Sequence, residues 1–243
     1  MLLSAHNPGR LAHIIPPIGP VVQTRYSARL AVDPQTKQEA YRLRYDSYLA
    51  SGYIQPNETG LFQDLYDELP NCQTVVIYDE GVPSASVRVC TLAFGSHKRS
   101  PASDAFPEEV RKLLNEQTAI GTGARGIETT RLVRSPAAEN NQGLVFLLYR
   151  MAGFLGMSAH TQILVACVRR NHAPFYKRLG YEPVTEPRAY PGLNCPMQLM
   201  SCTRKRYDEV RLAFPVIDPF AGASGNLDGF LSGEPVSLSL VRQ

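Results

Sequence analysis

Six charged side chains stand in segments whose neighbours are apolar or turn-forming: Arg44, Asp64, Asp67, Arg88, Glu128 and Arg131. Such groups have two uses. An Arg can hold a carboxylate ligand through two parallel N–H···O bonds. Alternatively, the set forms a buried or rim ionic network that anchors the turn-rich stretch 52–71. Glu128 and Arg131 share an apolar run, Ile127–Ser135, that reads as a strand. In a regular strand these two point to opposite faces. A β-bulge between them turns both towards one site. The cysteines 72, 90, 167, 195 and 202 are odd in number and contain no C-x-x-C pair. The histidines are scattered, so no metal-ligand spacing is present and zinc is not expected. Free thiols with no disulfide framework imply a reducing, cytoplasmic setting.

The elements that must position these groups follow from periodicity. Tyr26–Val32 reads as a strand, Asp33 and Pro34 as a helix start, and Gln35–Ser51 as a helix with Ala40, Leu43, Ser47 and Ala50 on one stripe. Thr74–Tyr78 and Ser84–Leu92 read as strands joined by the hairpin turn Asp79-Glu80-Gly81. Pro107–Asn115 is expected to be a helix, Asn140–Gly156 a strongly apolar one, Gln162–Val168 a buried strand, and Ala173–Leu179 a short helix stopped by Gly180. Tyr181–Val184 and Pro196–Cys202 are further strand candidates. An early hairpin followed by alternating strands and helices predicts an α/β fold with a mixed sheet and helices on both faces. One domain is expected over 26–204, preceded by an extended arm, 1–25, and followed by an extension, 205–243, without a readable motif.

A chain of 243 residues with 44% apolar content is globular, and a net charge of +3 without a basic stripe argues against a nucleic-acid binder. No apolar run is long enough to span a bilayer, which leaves peripheral membrane contact as the remaining possibility. The start of the chain does not read as a signal peptide.

The stretch Arg170-Asn171-His172-Ala173-Pro174-Phe175-Tyr176-Lys177-Arg178-Leu179-Gly180-Tyr181 resembles the strand-to-helix segment of the GNAT acyltransferases, with Asn, Tyr and Gly-aromatic in order. A second resemblance narrows the choice. Arg44, then Asp64 and Asp67, then Arg88, then Glu128-x-x-Arg131 is similar to the charged series of the acyl-homoserine-lactone synthases and their relatives, the N-acyl amino acid synthases. The lactone synthases carry Phe and Trp between the first helix and the acidic pair. This chain has Tyr45, Tyr48, Tyr53 and Ile54 there, which leans towards the N-acyl amino acid synthases.

The resemblance implies a GNAT-like acyltransferase. Glu128 would be the base for the acceptor amine, directly or through water, with Arg131 beside it; the alternative is an ion pair between Glu128 and an Arg. Tyr176 would protonate the leaving thiolate or else merely pack beside Phe175. Arg44, Asp64, Asp67 and Arg88 would bind the acceptor or hold its pocket. Leu132, Val133 and Arg134, with Gln142, Gly143 and Leu144 at the following helix start, would hold the pantetheine arm. That helix start keeps only Gly143 of the superfamily's phosphate loop, which suits a donor carried on acyl carrier protein better than free acyl-CoA. Arg150, Arg169, Arg170, Lys177 and Arg178 are candidates for receiving an acidic carrier protein. Val145, Phe146, Leu148, Tyr149, Ala152, Ile163, Val165 and Cys167 either line an acyl tunnel or form plain core. The expected reaction moves a fatty acyl group to the α-amine of an amino acid, with no metal or bound cofactor. A lactone synthase using S-adenosylmethionine, an acetyl-CoA-dependent N-acetyltransferase and a non-enzymatic acyl-binding module are the alternatives.

Overall fold

Asp33 starts the first helix by accepting a hydrogen bond from the Thr36 amide at 2.9 Å and one from its hydroxyl at 2.7 Å. In the computed structural model, which describes residues 25–118, 123–221, 223–224 and 226–240, strand β1 (Tyr26–Leu30) leads into this helix, α1 (Pro34–Ala50). The arm expected at the N-terminus lies outside the described residues, save Arg25. Strands β2 (Cys72–Asp79) and β3 (Val82–Ala93) form the expected hairpin. Glu80 and Gly81 both have left-handed backbones, with φ of 51° and 81°. Two such residues in the loop make the turn whose twist matches paired strands.

The chain continues through α2 (Pro101–Ala105), α3 (Pro107–Thr118), β4 (Arg125–Arg134), α4 (Gln142–Ser158), β5 (Ile163–Val168) and α5 (Ala173–Arg178). Then come β6 (Glu182–Pro183), β7 (Arg188–Tyr190), β8 (Leu193–Thr203), α6 (Arg204–Ala213), β9 (Ala223–Ser224), α7 (Leu227–Leu231) and β10 (Val236–Leu238). The main sheet runs β6-β8-β5-β4-β3-β2-β1-β10-β9, with β7 paired to β8. Among the described strands only β4 and β5 pair in parallel; the sheet is mixed, as the element order predicts.

Helix α1 packs its buried side chains with Val76 and Val133 on one face of the sheet, and α2 and α3 cover the same face further along with Leu92, Val165 and Leu199. Helix α4 covers the opposite face over Val75, Ile77, Val87, Val89 and Ile127. Two glycines let α4 come close to its neighbours. A Cβ on Gly156 would stand 2.7 Å from Ile127 Cδ1, and one on Gly153 would stand 2.0 Å from the Tyr207 hydroxyl.

The extension beyond residue 204 is part of this body. β10 pairs with β1, while Phe230, Val236 and Leu238 join the core under α4. Arg150, expected on a basic surface patch, is instead 1% exposed. Its guanidinium donates to the carbonyls of Asp218 at 3.2 Å and Ser239 at 2.7 Å, clamping the extension against α4. Phe230 is fully buried against Phe154, with ring centroids 5.9 Å apart. Phe230→Ala is therefore expected to lower unfolding free energy by about 3–5 kcal/mol in urea titration. A loss below about 1 kcal/mol would show the extension to be a dispensable appendage.

Candidate active site

The strands β4 and β5 pair over only four residues, Gly126–Thr129 against Ile163–Ala166, and then part. Where they part, a cleft of about 460 Å³ opens. Its walls include Thr129–Pro136 from β4 and beyond, Cys167–Arg169 after β5, Tyr48 and Tyr53 from the α1 side, and Val145 and Tyr149 from α4.

The shape of the β4 wall comes from a bulge. Ser86 on β3 faces Val133, but Arg88 faces Thr130, so the partner strand holds an extra residue here. Arg131 takes it up with a left-handed backbone, φ 53°. The phase of the strand changes at this point. Before the bulge, Ile127 packs on the α4 face; after it, Leu132 does, and Val133 packs on the α1 face. Glu128 and Arg131 therefore lie on one side of the sheet, as the bulge expectation requires.

Arg131 does not pair with Glu128. It donates to Asp64 Oδ2 from Nε at 3.1 Å and from Nη2 at 2.7 Å, and from Nη2 to the Pro191 carbonyl at 2.9 Å. Three rings surround its guanidinium: Phe62, Tyr190 and Tyr48, at 5.0, 5.8 and 6.0 Å. Behind it, Arg88 reaches Asp64 at 2.6 Å and Asp67 at 2.9 Å, and Arg44 reaches Asp67 at 2.7 Å and Thr74 Oγ1 at 2.9 Å. Arg44 and Arg88 are 0% exposed and neither lines the cleft. Of the two readings of Arg44, Asp64, Asp67 and Arg88, the structure shows the ionic network, and none of the four lines the cleft. Their charges face one another, and only Arg131 of this network reaches the cleft wall. Burial raises the Asp64 pKa, but the Arg88 and Arg131 guanidiniums outweigh it and hold the carboxyl at about 2.

Glu128 is 0% exposed and lies behind the wall, a correction to direct contact with the acceptor. Its Oε1 accepts from the Tyr190 hydroxyl at 2.6 Å and its Oε2 from the Ala102 amide at 2.8 Å. Tyr190 itself lines the cleft, and its oxygen is 3.0 Å from Thr130 Oγ1. Burial, and then the carboxylate of Glu128, push the Tyr190 pKa well above 10. The phenol is accordingly a neutral donor at physiological pH. Sequence reasoning missed Tyr190 because it ends the short strand β7 just before the turn Pro191-Gly192. The available signal was Thr130, two residues from Glu128 on the same strand face.

Of the residues expected to hold a pantetheine arm, Leu132, Val133, Arg134 and Gln142 line the cleft. Leu144 is 0% exposed in the core, and Gly143 faces Leu240 of the extension; neither lines the cleft. Arg134 Nη1 donates to the Asn141 carbonyl at 3.2 Å, at the start of α4. Tyr176 lines the opposite wall beside Tyr149 and Phe175. Burial pushes its pKa up to about 12, although a hydrogen bond with Tyr149 lowers it. Val145, Tyr149 and Cys167 line the cleft; Leu148, Ala152, Ile163 and Val165 belong to the core instead. Arg170, Lys177 and Arg178 are exposed, and no ion pair involves them among the described residues. No group of three His, Cys, Asp or Glu among the described residues sits as a metal set would.

The sequence model of the N-acyl amino acid synthase FeeM family matches residues 39–203. The chain belongs to that family. The solved structure of FeeM, an N-acyl amino acid synthase from uncultured soil microbes, superposes with a TM-score of 0.62 at 18% identity, covering 80% of this chain and 99% of that one. The acyl-homoserine-lactone synthase LasI follows the same fold with a TM-score of 0.53 at 16% identity, covering 73% of this chain and 90% of that one. An acyl-CoA N-acyltransferase from Pseudomonas aeruginosa gives 0.51 at 15%, covering 74% and 99%. No curated protein sequence matches. The fold is GNAT-like, and the protein is an N-acyltransferase. No described helix is long and apolar enough to cross a membrane.

Two outcomes follow from the ionic network. Arg88→Ala leaves two buried carboxylates short of donors and is expected to cost about 3–5 kcal/mol in chemical denaturation. Asp64 is held below its unfolded value near 3.9, so its share of stability is full above about pH 4 and lost as pH falls towards about 2. Acid unfolding of Asp64→Asn should lack that contribution of about 2 kcal/mol. Equal acid sensitivity of the two proteins would contradict the assignment.

Proposed function

We propose that the protein transfers a long-chain fatty acyl group from the phosphopantetheine thioester of acyl carrier protein to the α-amine of an amino acid. The observation that carries this reading is the cleft at the parting of β4 and β5, with Arg134 reaching from the end of β4 to the start of α4 beside Gln142, and Tyr190, backed by Glu128, in its inner wall. A cleft of this size falls in the range of small-molecule sites, roughly 300–1,000 Å³. Its apolar members Leu132, Val145 and Phe175 suit an acyl chain. Support for a carrier-bound donor is the start of α4, where Leu240 fills the space beside Gly143 that a dedicated phosphate cradle would leave open. The exposed cations Arg170, Lys177 and Arg178 suit an acidic carrier.

The acceptor ammonium must lose a proton before its lone pair can attack the thioester carbonyl. Glu128 is sealed from the cleft, so the proton moves through Tyr190. The phenol gives its proton to Glu128 Oε1 and takes the amine's proton in the same step. The C–N bond forms and the C–S bond breaks; the second proton of the attacking nitrogen passes to the departing thiolate, so the pantetheine leaves as its thiol. Tyr176 faces that thiolate from the other wall. A phenol held at about 12 is a weaker acid than a thiol near 8.5, so Tyr176 donates a hydrogen bond without transferring its proton.

The order of effects tests this assignment. Tyr190→Phe and Glu128→Gln are expected to lower kcat by about 10²–10⁴-fold, whereas Tyr176→Phe should cost less than about tenfold. The substrate class is read by lipid extraction from a bacterial host expressing the protein, followed by mass spectrometry. N-acyl amino acids that disappear with Tyr190→Phe are the expected product. Acetyl transfer from acetyl-CoA in vitro with no lipid product would overturn the reading.

A further inference from the structure

Cys72 and Cys90 stand directly opposite one another on the antiparallel strands β2 and β3. The next pair along, Asn71 and Thr91, exchanges a ladder bond, from the Thr91 amide to the Asn71 carbonyl at 2.7 Å. Pairs alternate along such a ladder, so the cysteines occupy a non-hydrogen-bonded position, where side chains come closest. Their sulfurs are in contact at 2.6 Å. The Cα separation of such a pair, about 4.5 Å, lies within the span a disulfide bridges, about 4.4–6.8 Å. Access exists from one side only. Cys90 is fully buried, while Cys72 is half-buried and lines a separate cavity of about 190 Å³ with Lys37, Tyr41, Glu68 and Pro70.

We propose that Cys72 and Cys90 are a modification site, an intrachain disulfide formed by exchange with a small disulfide such as oxidised glutathione. The Cys72 thiolate attacks one sulfur of the reagent and releases the first thiol. The Cys90 sulfur then attacks Cys72 Sγ, gives up its proton, and releases the second thiol. Two protein thiols are oxidised and one small disulfide is reduced to two thiols. Burial pushes the Cys90 thiol up and keeps it protonated, so Cys72, which the cavity reaches, is the residue the reagent meets first; the contact between the two sulfurs then places Cys90 to resolve the mixed disulfide.

The position gives the bond a consequence. Cys72 closes the acidic loop that carries Asp64 and Asp67, and Cys90 lies two residues beyond Arg88, which binds both. Thr74, which receives Arg44, pairs with Arg88 two residues along the same ladder. A disulfide here ties the end of the loop to the strand that bears its counter-charge.

The test uses the full chain in defined mixtures of reduced and oxidised glutathione, quenched and digested without reduction. Cleavage after Arg88 separates the two cysteines. The expected product is the peptide ending at Arg88 joined to the peptide starting at Val89, with the intact protein lighter by two hydrogens. The oxidised protein should melt about 5–10 °C higher, and Cys72→Ser should abolish both changes. A stable glutathione adduct on Cys72 with Cys90 still free, or two unmodified thiols in the folded protein under oxidising mixtures, would overturn the proposal.

Discussion

The carboxylate of Asp64 accepts from two guanidiniums at once, Arg88 on β3 and Arg131 in the β4 bulge, and the inner wall of the cleft depends on that shared acceptor. A left-handed backbone at a residue with a side chain costs about 1–3 kcal/mol and survives only where its surroundings over-determine it. At Arg131 the surroundings are the Asp64 carboxylate, the Pro191 carbonyl and three aromatic rings. Held this way, the bulge turns Leu132 towards α4 and leaves Thr130 against Tyr190. Most of the network lies behind the cleft wall, yet it sets which side chains of β4 the cleft presents.

Much of this was legible in residue order. The Asp33 cap, the Glu80-Gly81 turn and the apolar face of α4 follow from local rules, because each depends on residues near one another in sequence. The charged series could be found by type, but its wiring could not. Arg131 had two carboxylate candidates, Glu128 nearby in sequence and Asp64 on a distant loop, and it takes the distant one. Burial decided the outcome: Glu128 is enclosed by α2 and Tyr190, whose positions no local pattern specifies.

The misread parts share a cause. Helix α6 and strands β7, β9 and β10 carry weak or polar patterns, and β10 docks on β1, at the far end of the described chain. Arg150 illustrates the point. On an apolar helix, a lone Arg reads as a surface charge, yet two backbone carbonyls from the extension draw it fully inside. Carbonyl acceptors leave no charge pattern in a sequence.

The pairing of β1 with β10 bears on how the chain is made. During synthesis β1 emerges first among the described strands and β10 last, so one flank of β1 has no partner until all the other described strands have been translated. Only β2 can pair with β1 in the meantime, and the other edge stays open to foreign strands. The nascent chain is thus exposed to mispairing for longest at its oldest strand, a hazard that closes when Val236–Leu238 dock and Arg150 captures the carbonyl beyond them.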